Sequence, residues 1–245
     1  MTEEASTLQD FPLQASIQAV KASADFESYN DFYRYLLDNL PQNSPQTRQR
    51  YAALIGRRYF PGLSLDNLLS QSWRVYQDER ILVDLMRVFA LEAEPVIARF
   101  ILDKVWPLTV GQLFDAAAAR TFIHETYSAF KKNSYERLLL SVRHLGFLGR
   151  YNGELVVEEI PLPANALLIL LHDRLAPTPR IVRLSNILDT DWWRFLGLKE
   201  PDALRHVLRQ AEAAGLIARY VVVDELEQVT TRFTRDEYIG QAKRL

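Results

Sequence analysis

Pro201-Asp202-Ala203-Leu204-Arg205-His206-Val207-Leu208-Arg209-Gln210-Ala211-Glu212-Ala213-Ala214-Gly215-Leu216-Ile217 is the stretch on which the reading of this chain turns. At about 100° per residue, Leu204, Val207, Leu208, Ala211 and Ala214 fall on one side of a helix. Asp202, Arg205, His206, Arg209, Gln210 and Ala213 fall on the other. Pro201 suits a first helical turn and Gly215 supplies the left-handed residue after the last one, so the spacing predicts a helix over 201–214. Strands over 216–223 and 226–233 come next. Upstream, Gly197 closes a helix over 185–196 that Ser185 is placed to cap. A short strand over 180–184 and a helix over 164–175 precede it. Helix, strand, helix, helix, strand, strand is the order of a winged helix-turn-helix.

Working outward, Asn152-Gly153 is a turn signal, residues 155–160 read as a strand, and Pro161 and Pro163 punctuate the entry to the helix over 164–175. The chain of 245 residues exceeds one typical domain, and the boundary is placed near 150. Before it the pattern is helical. Phe26, Tyr29, Phe32, Tyr33, Leu36, Leu37 and Leu40 recur at spacings of three and four, and Pro41 ends that helix. Ser44-Pro45 opens the next one, over 48–59, which the Pro61-Gly62 break stops. Helices over 66–76, 78–91, 95–105, 110–131 and 134–145 complete the series, with Gly146 as a cap. Residues 81–91 are apolar nearly all round, the mark of a central helix. Residues 1–25 have weak periodicity and read as an arm or peripheral helix. The expected architecture is therefore mostly α: an arm over 1–25, a helical bundle over 26–150, and a C-terminal α+β winged-helix domain over 151–245.

Composition bounds the function. Hydrophobic residues at 48% and charged ones at 24% describe a chain able to bury a core. With no cysteine there are no disulfides, thiolate metal sites or cysteine nucleophiles. The acidic MTEEASTLQDF start lacks a basic, apolar leader, and no apolar run is long enough to span a bilayer, so a cytoplasmic location is expected. His124-Glu125-Thr126-Tyr127-Ser128 lacks the second histidine of a zinc helix. His144, His172 and His206 show no ligand spacing and read as surface or cap residues. Asp189-Thr190-Asp191 reads as a helix-turn element. No phosphate loop or dinucleotide fingerprint occurs. No metal, cofactor, small-molecule substrate or catalytic residue is expected, and the chain is not read as an enzyme.

A net charge of -2 conceals segregation. Residues 1–31 hold six acids against Lys21. Residues 41–60 hold Arg48, Arg50, Arg57 and Arg58 and no acid. Residues 131–150 hold Lys131, Lys132, Arg137, Arg143 and Arg150 against Glu136 alone. Arginine grips phosphates and guanine edges, and glutamine pairs with adenine, so Arg48, Arg50, Arg57, Arg58, Lys131, Lys132, Arg205, Arg209 and Gln210 are the candidate DNA-contacting residues. Against this, Asp224, Glu225 and Glu227 at the wing would repel phosphates, although Thr230, Thr231, Arg232 and Arg235 offer backbone contacts.

Three segments of the middle resemble the BrxA family over about residues 45–175. They are Thr47-Arg48-Gln49-Arg50-Tyr51 leading to Arg57-Arg58, Glu94-Pro95 with residues 98–106, and Ser134-Tyr135-Glu136-Arg137-Leu138 ending in Arg143-His144-Leu145-Gly146-Phe147-Leu148. The resemblance implies a small, non-enzymatic, double-stranded DNA-binding component of a BREX bacteriophage-defence system, with other defence subunits as partners. The acidic arm and the extended C-terminal part depart from the family's compact pattern, and only the arginine-rich helix is carried over. The residues also admit a protein-interaction scaffold or a winged-helix transcription regulator.

Overall fold

The helix that is apolar nearly all round needs neighbours on every side, and the chain supplies them from both of its ends. The computed structural model describes residues 12–126, 134–224 and 226–245. The Lys131 and Lys132 candidates and Glu225 lie outside them. The fold is mostly helical with two small antiparallel sheets, an α+β class.

The described residues fall into two compact units. One takes in Glu94–Pro161, and the other joins Gln14–Ala93 to Leu162–Leu245. The helices of the second unit's N-terminal part are α1 (Leu13–Ala22), α2 (Tyr29–Asn39), α3 (Pro45–Tyr59), α4 (Leu68–Tyr76) and α5 (Glu79–Ala93). The region expected as an arm thus contains a helix, which buries Ile17, Ala19 and Val20. Helix α3 starts as its sequence dictates: the Ser44 side chain accepts from the Thr47 amide and Pro45 occupies the first turn. Gly56 lets it approach α2, since a Cβ there would lie 2.1 Å from the Tyr29 hydroxyl. Helix α5 buries Ile81, Leu82, Leu85, Met86, Val88, Ala90 and Leu91. It packs on α3 and α4 from before it in sequence, and on α9 (Ala164–Leu170) and α11 (Trp192–Phe195) from after it.

In the first unit, α6 (Pro95–Phe100) continues into a wide turn over Ile101–Val105. Helices α7 (Ala117–Thr126) and α8 (Ser134–His144) come next, then β1 (Leu148–Tyr151) and β2 (Glu154–Val157). Phe100 anchors its core, with ring centroids 5.9 Å from Phe114 and 5.1 Å from Phe122. Helix α7 starts later than the sequence pattern places it, at Ala117. Strand β1 follows the Gly146 cap, where the pattern predicts no strand. Asn152 and Gly153 both take positive φ, 51° and 88°, and close β1 onto β2 as a two-residue hairpin. Residue 150, the expected domain boundary, therefore lies inside a strand of this unit.

The C-terminal part of the second unit runs α9, β3 (Ile181–Arg183), α10 (Leu184–Leu188), α11, α12 (Pro201–Ala213), β4 (Arg219–Val223), β5 (Leu226–Thr230) and α13 (Arg235–Gly240). Its sheet has the order β3-β5-β4, antiparallel throughout. Gly197 and Gly215 adopt φ of 92° and 70° after their helices, as expected. The helix expected over 185–196 is instead two, α10 and α11. Asp189-Thr190-Asp191 breaks it: the Thr190 hydroxyl donates to the Ile187 carbonyl at 2.6 Å, competing with the helical ladder. Ser185 caps neither piece, and α10 begins at Leu184 behind Arg183 with no side-chain cap.

Candidate nucleic-acid interface

Helix α12 divides as its wheel predicts. Leu204, Val207, Leu208 and Ala211 are buried, and Asp202, His206, Arg209, Gln210 and Ala213 face outward. Ala214, assigned to the inner side, is exposed because it already belongs to the cap. The inner stripe presses on the face of the sheet that carries Val182, Tyr220 and Val229, which register across β3, β5 and β4.

Arg205 is the exception on the outer side. Its Nε donates to both oxygens of Glu227 on β5, at 3.1 and 2.9 Å, and Nη2 donates to Oε1 at 2.7 Å. Nη1 donates to Asp202 at 2.7 Å. The Tyr220 hydroxyl donates to the same Glu227 carboxylate. The Arg205 hydrogen bonds hold the Glu227 carboxyl below the usual carboxylate range. Burial, helped by that hydrogen bond, pushes the Tyr220 hydroxyl up to about 12. Arg209 sits 6.0 Å from the Tyr220 ring centroid. Arg205 and Arg209, paired on the sequence wheel, thus differ: the first is engaged by two carboxylates, and the second faces solvent.

The hairpin tip is apolar rather than basic. Val222 is 55% exposed, Val223 57% and Leu226 43%, around Asp224 in a left-handed turn. Of the residues offered for backbone contacts, Thr231 is buried against the Arg180 backbone, and Arg235 is taken up by Asp173 at 2.6 Å and Gln71 at 2.7 Å. The sheet's outer face escapes the sequence analysis. Alternation puts Ile181, Arg183, Arg219, Val221, Gln228 and Thr230 there, with both arginines exposed. The signal is present in Ile181-Val182-Arg183 and Arg219-Tyr220-Val221.

The four arginines of α3 separate. Arg58 is only 2% exposed, so it is a core residue and not a DNA contact. Arg48 is half-buried, with Nη1 donating to the Gln42 carbonyl at 3.4 Å. Arg50 and Arg57 are exposed, and with Gln46, Gln49 and Ala53 they form one continuous stripe. Their spacing of i, i+3, i+4, i+7 and i+11 keeps all five on one face. No residue of α3 is acidic. Arg50 packs 5.3 Å from the Tyr51 ring centroid, which limits its motion without covering its charge.

Lys131 and Lys132 of the second basic segment lie outside the described residues, and its Arg143 and Arg150 do not stand in a purely cationic patch. Arg143 and Arg150 line an open cleft of about 830 Å³ in the first unit, together with Glu136, Glu154 and Asp115 and a leucine floor of Leu139, Leu140 and Leu155. Linear clustering of charge hides these acids, most of which come from other elements. The histidine reading needs one correction: His172 is fully buried, whereas His144 and His206 are not. Among the described residues, no group of three histidines and carboxylates is placed to hold a metal ion, and no helix is long and apolar enough to cross a membrane. No protein-family model, curated protein or solved structure matches the chain.

Proposed function

We propose that this chain is a non-enzymatic, double-stranded DNA-binding accessory protein, acting in the cytoplasm within a defence assembly of the BREX kind that the BrxA resemblance implies. The observation that carries the reading is the acid-free exposed stripe of α3, where Gln46, Gln49, Arg50, Ala53 and Arg57 stand side by side. Arg50 and Arg57 are separated by about 10 Å along the helix axis, far enough to hold different phosphates of one duplex. The order α9, β3, α10, α11, α12, β4, β5 with a β3-β5-β4 sheet supports a winged helix, in which α12 would present Arg209, Gln210 and His206 to the groove. Phosphate contacts dominate both surfaces, so the binding is salt-sensitive and sequence-tolerant. Titration of a labelled duplex at two salt concentrations tests it: the wild-type affinity must fall with salt, and Arg50→Ala/Arg57→Ala must lower the affinity and flatten the salt slope. No shift at low salt ends the proposal.

One observation favours a second reading. The hairpin tip of Val222, Val223 and Leu226 is exposed and apolar beside Asp224, which suits contact with protein better than with phosphate. In that reading the tip docks a partner subunit while α3 holds the duplex. Co-purification with products of neighbouring genes, lost in Val223→Ser/Leu226→Ser with duplex binding retained, would establish it.

A further inference from the structure

Arg205 falls on the outer side of the α12 wheel with its side chain 28% exposed, yet its guanidinium already has acceptors. Glu227 meets it as a two-oxygen fork, and Asp202 takes a further N–H. A carboxylate and a phosphate offer this fork the same pair of acceptor oxygens, and bidentate Arg–carboxylate and Arg–phosphate pairs are built alike. The chain delivers Glu227 to this place by register. Val222 pairs with Glu227, one same-face step beyond the Tyr220–Val229 pair, so Glu227 lies on the face of the sheet turned toward α12. The Tyr220 hydroxyl donates to the same carboxylate, fixing it from the strand side.

We propose that Glu227 is a built-in phosphate surrogate: it occupies Arg205 in the DNA-free protein and sets how strongly α12 binds a duplex. This rests on the DNA-binding reading above. Asp202 and Glu227 engage Arg205, and with Glu212 they outnumber Arg205 and Arg209, so the cations of the α12 surface are more than balanced while the latch is closed. A duplex that displaces Glu227 gains one phosphate contact and must leave a carboxylate nearby; without the carboxylate the contact is available outright. Because its pairing holds the Glu227 carboxyl below the usual range, acid does not open the latch near neutral pH, and only competition does.

The test uses the full chain and a labelled random-sequence duplex at two salt concentrations, with thermal melts alongside. Glu227→Gln keeps the shape and removes the charge. It is expected to bind about 3- to 10-fold tighter at low salt, with a salt slope steeper by about 0.9, the contribution of one neutralised phosphate. Arg205→Ala/Glu227→Gln is expected to lose that gain. If Glu227 serves only to brace the hairpin on α12, Glu227→Gln melts lower and binds no tighter, and the surrogate role is overturned. Should that variant unfold at the assay temperature, Glu227→Asp carries the test, since it keeps the charge but shortens its reach: tighter binding supports the role and unchanged binding overturns it. A wild-type chain that binds no duplex removes the underlying reading, whereas a wild-type chain that binds beside an indifferent Glu227→Gln removes only the surrogate.

Discussion

His172 lies flat against Tyr238, their ring centroids 4.0 Å apart and the planes 13° from parallel. The His172 ring is held by the Leu168 carbonyl, 2.8 Å from Nδ1, and both Nε2 and the Tyr238 hydroxyl are buried without a hydrogen-bond partner. Burial outweighs the Leu168 contact and pushes the imidazole below its ordinary value. The folded protein therefore keeps His172 neutral, while the unfolded chain takes up a proton below about pH 6.5. Stability from this site is complete above that pH and is lost as pH falls from it toward the folded value. Comparing thermal midpoints of wild type and His172→Phe from about pH 7.5 down to about pH 5 isolates the effect. The wild type should lose more over that span, and parallel curves would refute the assignment.

Asp84 and Arg87 are both buried in α5, with Arg87 Nη1 donating to Asp84 at 2.9 Å and to the Leu196 carbonyl at 3.4 Å. Burial raises the Asp84 carboxyl despite the arginine. Asp84→Ala strands a charge and should cost about 3–5 kcal/mol in chemical denaturation, whereas Asp84→Leu/Arg87→Met should cost much less. A double variant as unstable as the single one would show that the pair is not the source of the loss.

Neighbouring arginines on α3 should part company. Arg57→Ala removes an exposed cation and is expected to weaken duplex binding with little change in the melt. Arg58→Ala removes a core side chain and is expected to destabilise by about 2 kcal/mol with the salt slope of binding preserved. Reversed effects in denaturation and duplex titration would show that the surface has been misassigned.

Arg235 ties α13 to the body of its unit through Asp173 and Gln71. Arg235→Ala should cost about 1 kcal/mol and raise amide exchange in α13 before any other helix. Unchanged exchange there would mean that Tyr238 and Ile239, both buried, hold the helix alone.

Local structure is legible in the sequence because it depends on nearest neighbours. Ser44 caps α3, Gly197 and Gly215 take left-handed angles, and the wheel of α12 sorts its buried and exposed residues with one error at Ala214. The candidate site is less legible, since charge along a chain does not report which residues meet in space. Arg58 lies among arginines and is buried, while Arg143 and Arg150 line one cleft with Glu136, Glu154 and Asp115. Arg205 is correctly placed on the outer face, but its partner lies 22 residues later and only strand register brings it there. Spacing alone gives no sign that His172 is buried, although the apolar run of residues 166–171 leading into it does.

Helix α5 has a consequence for how the protein is made. Its companions on one side, α3 and α4, precede it on the ribosome, but those on the other, α9 and α11, emerge some 70 to 100 residues later. During that interval one flank of an apolar helix is bare while the whole of Glu94–Pro161 is synthesised. A nascent chain stopped before residue 164 therefore offers a sticky surface rather than a finished half, and truncations that end there should be recovered as chaperone-bound or aggregated material.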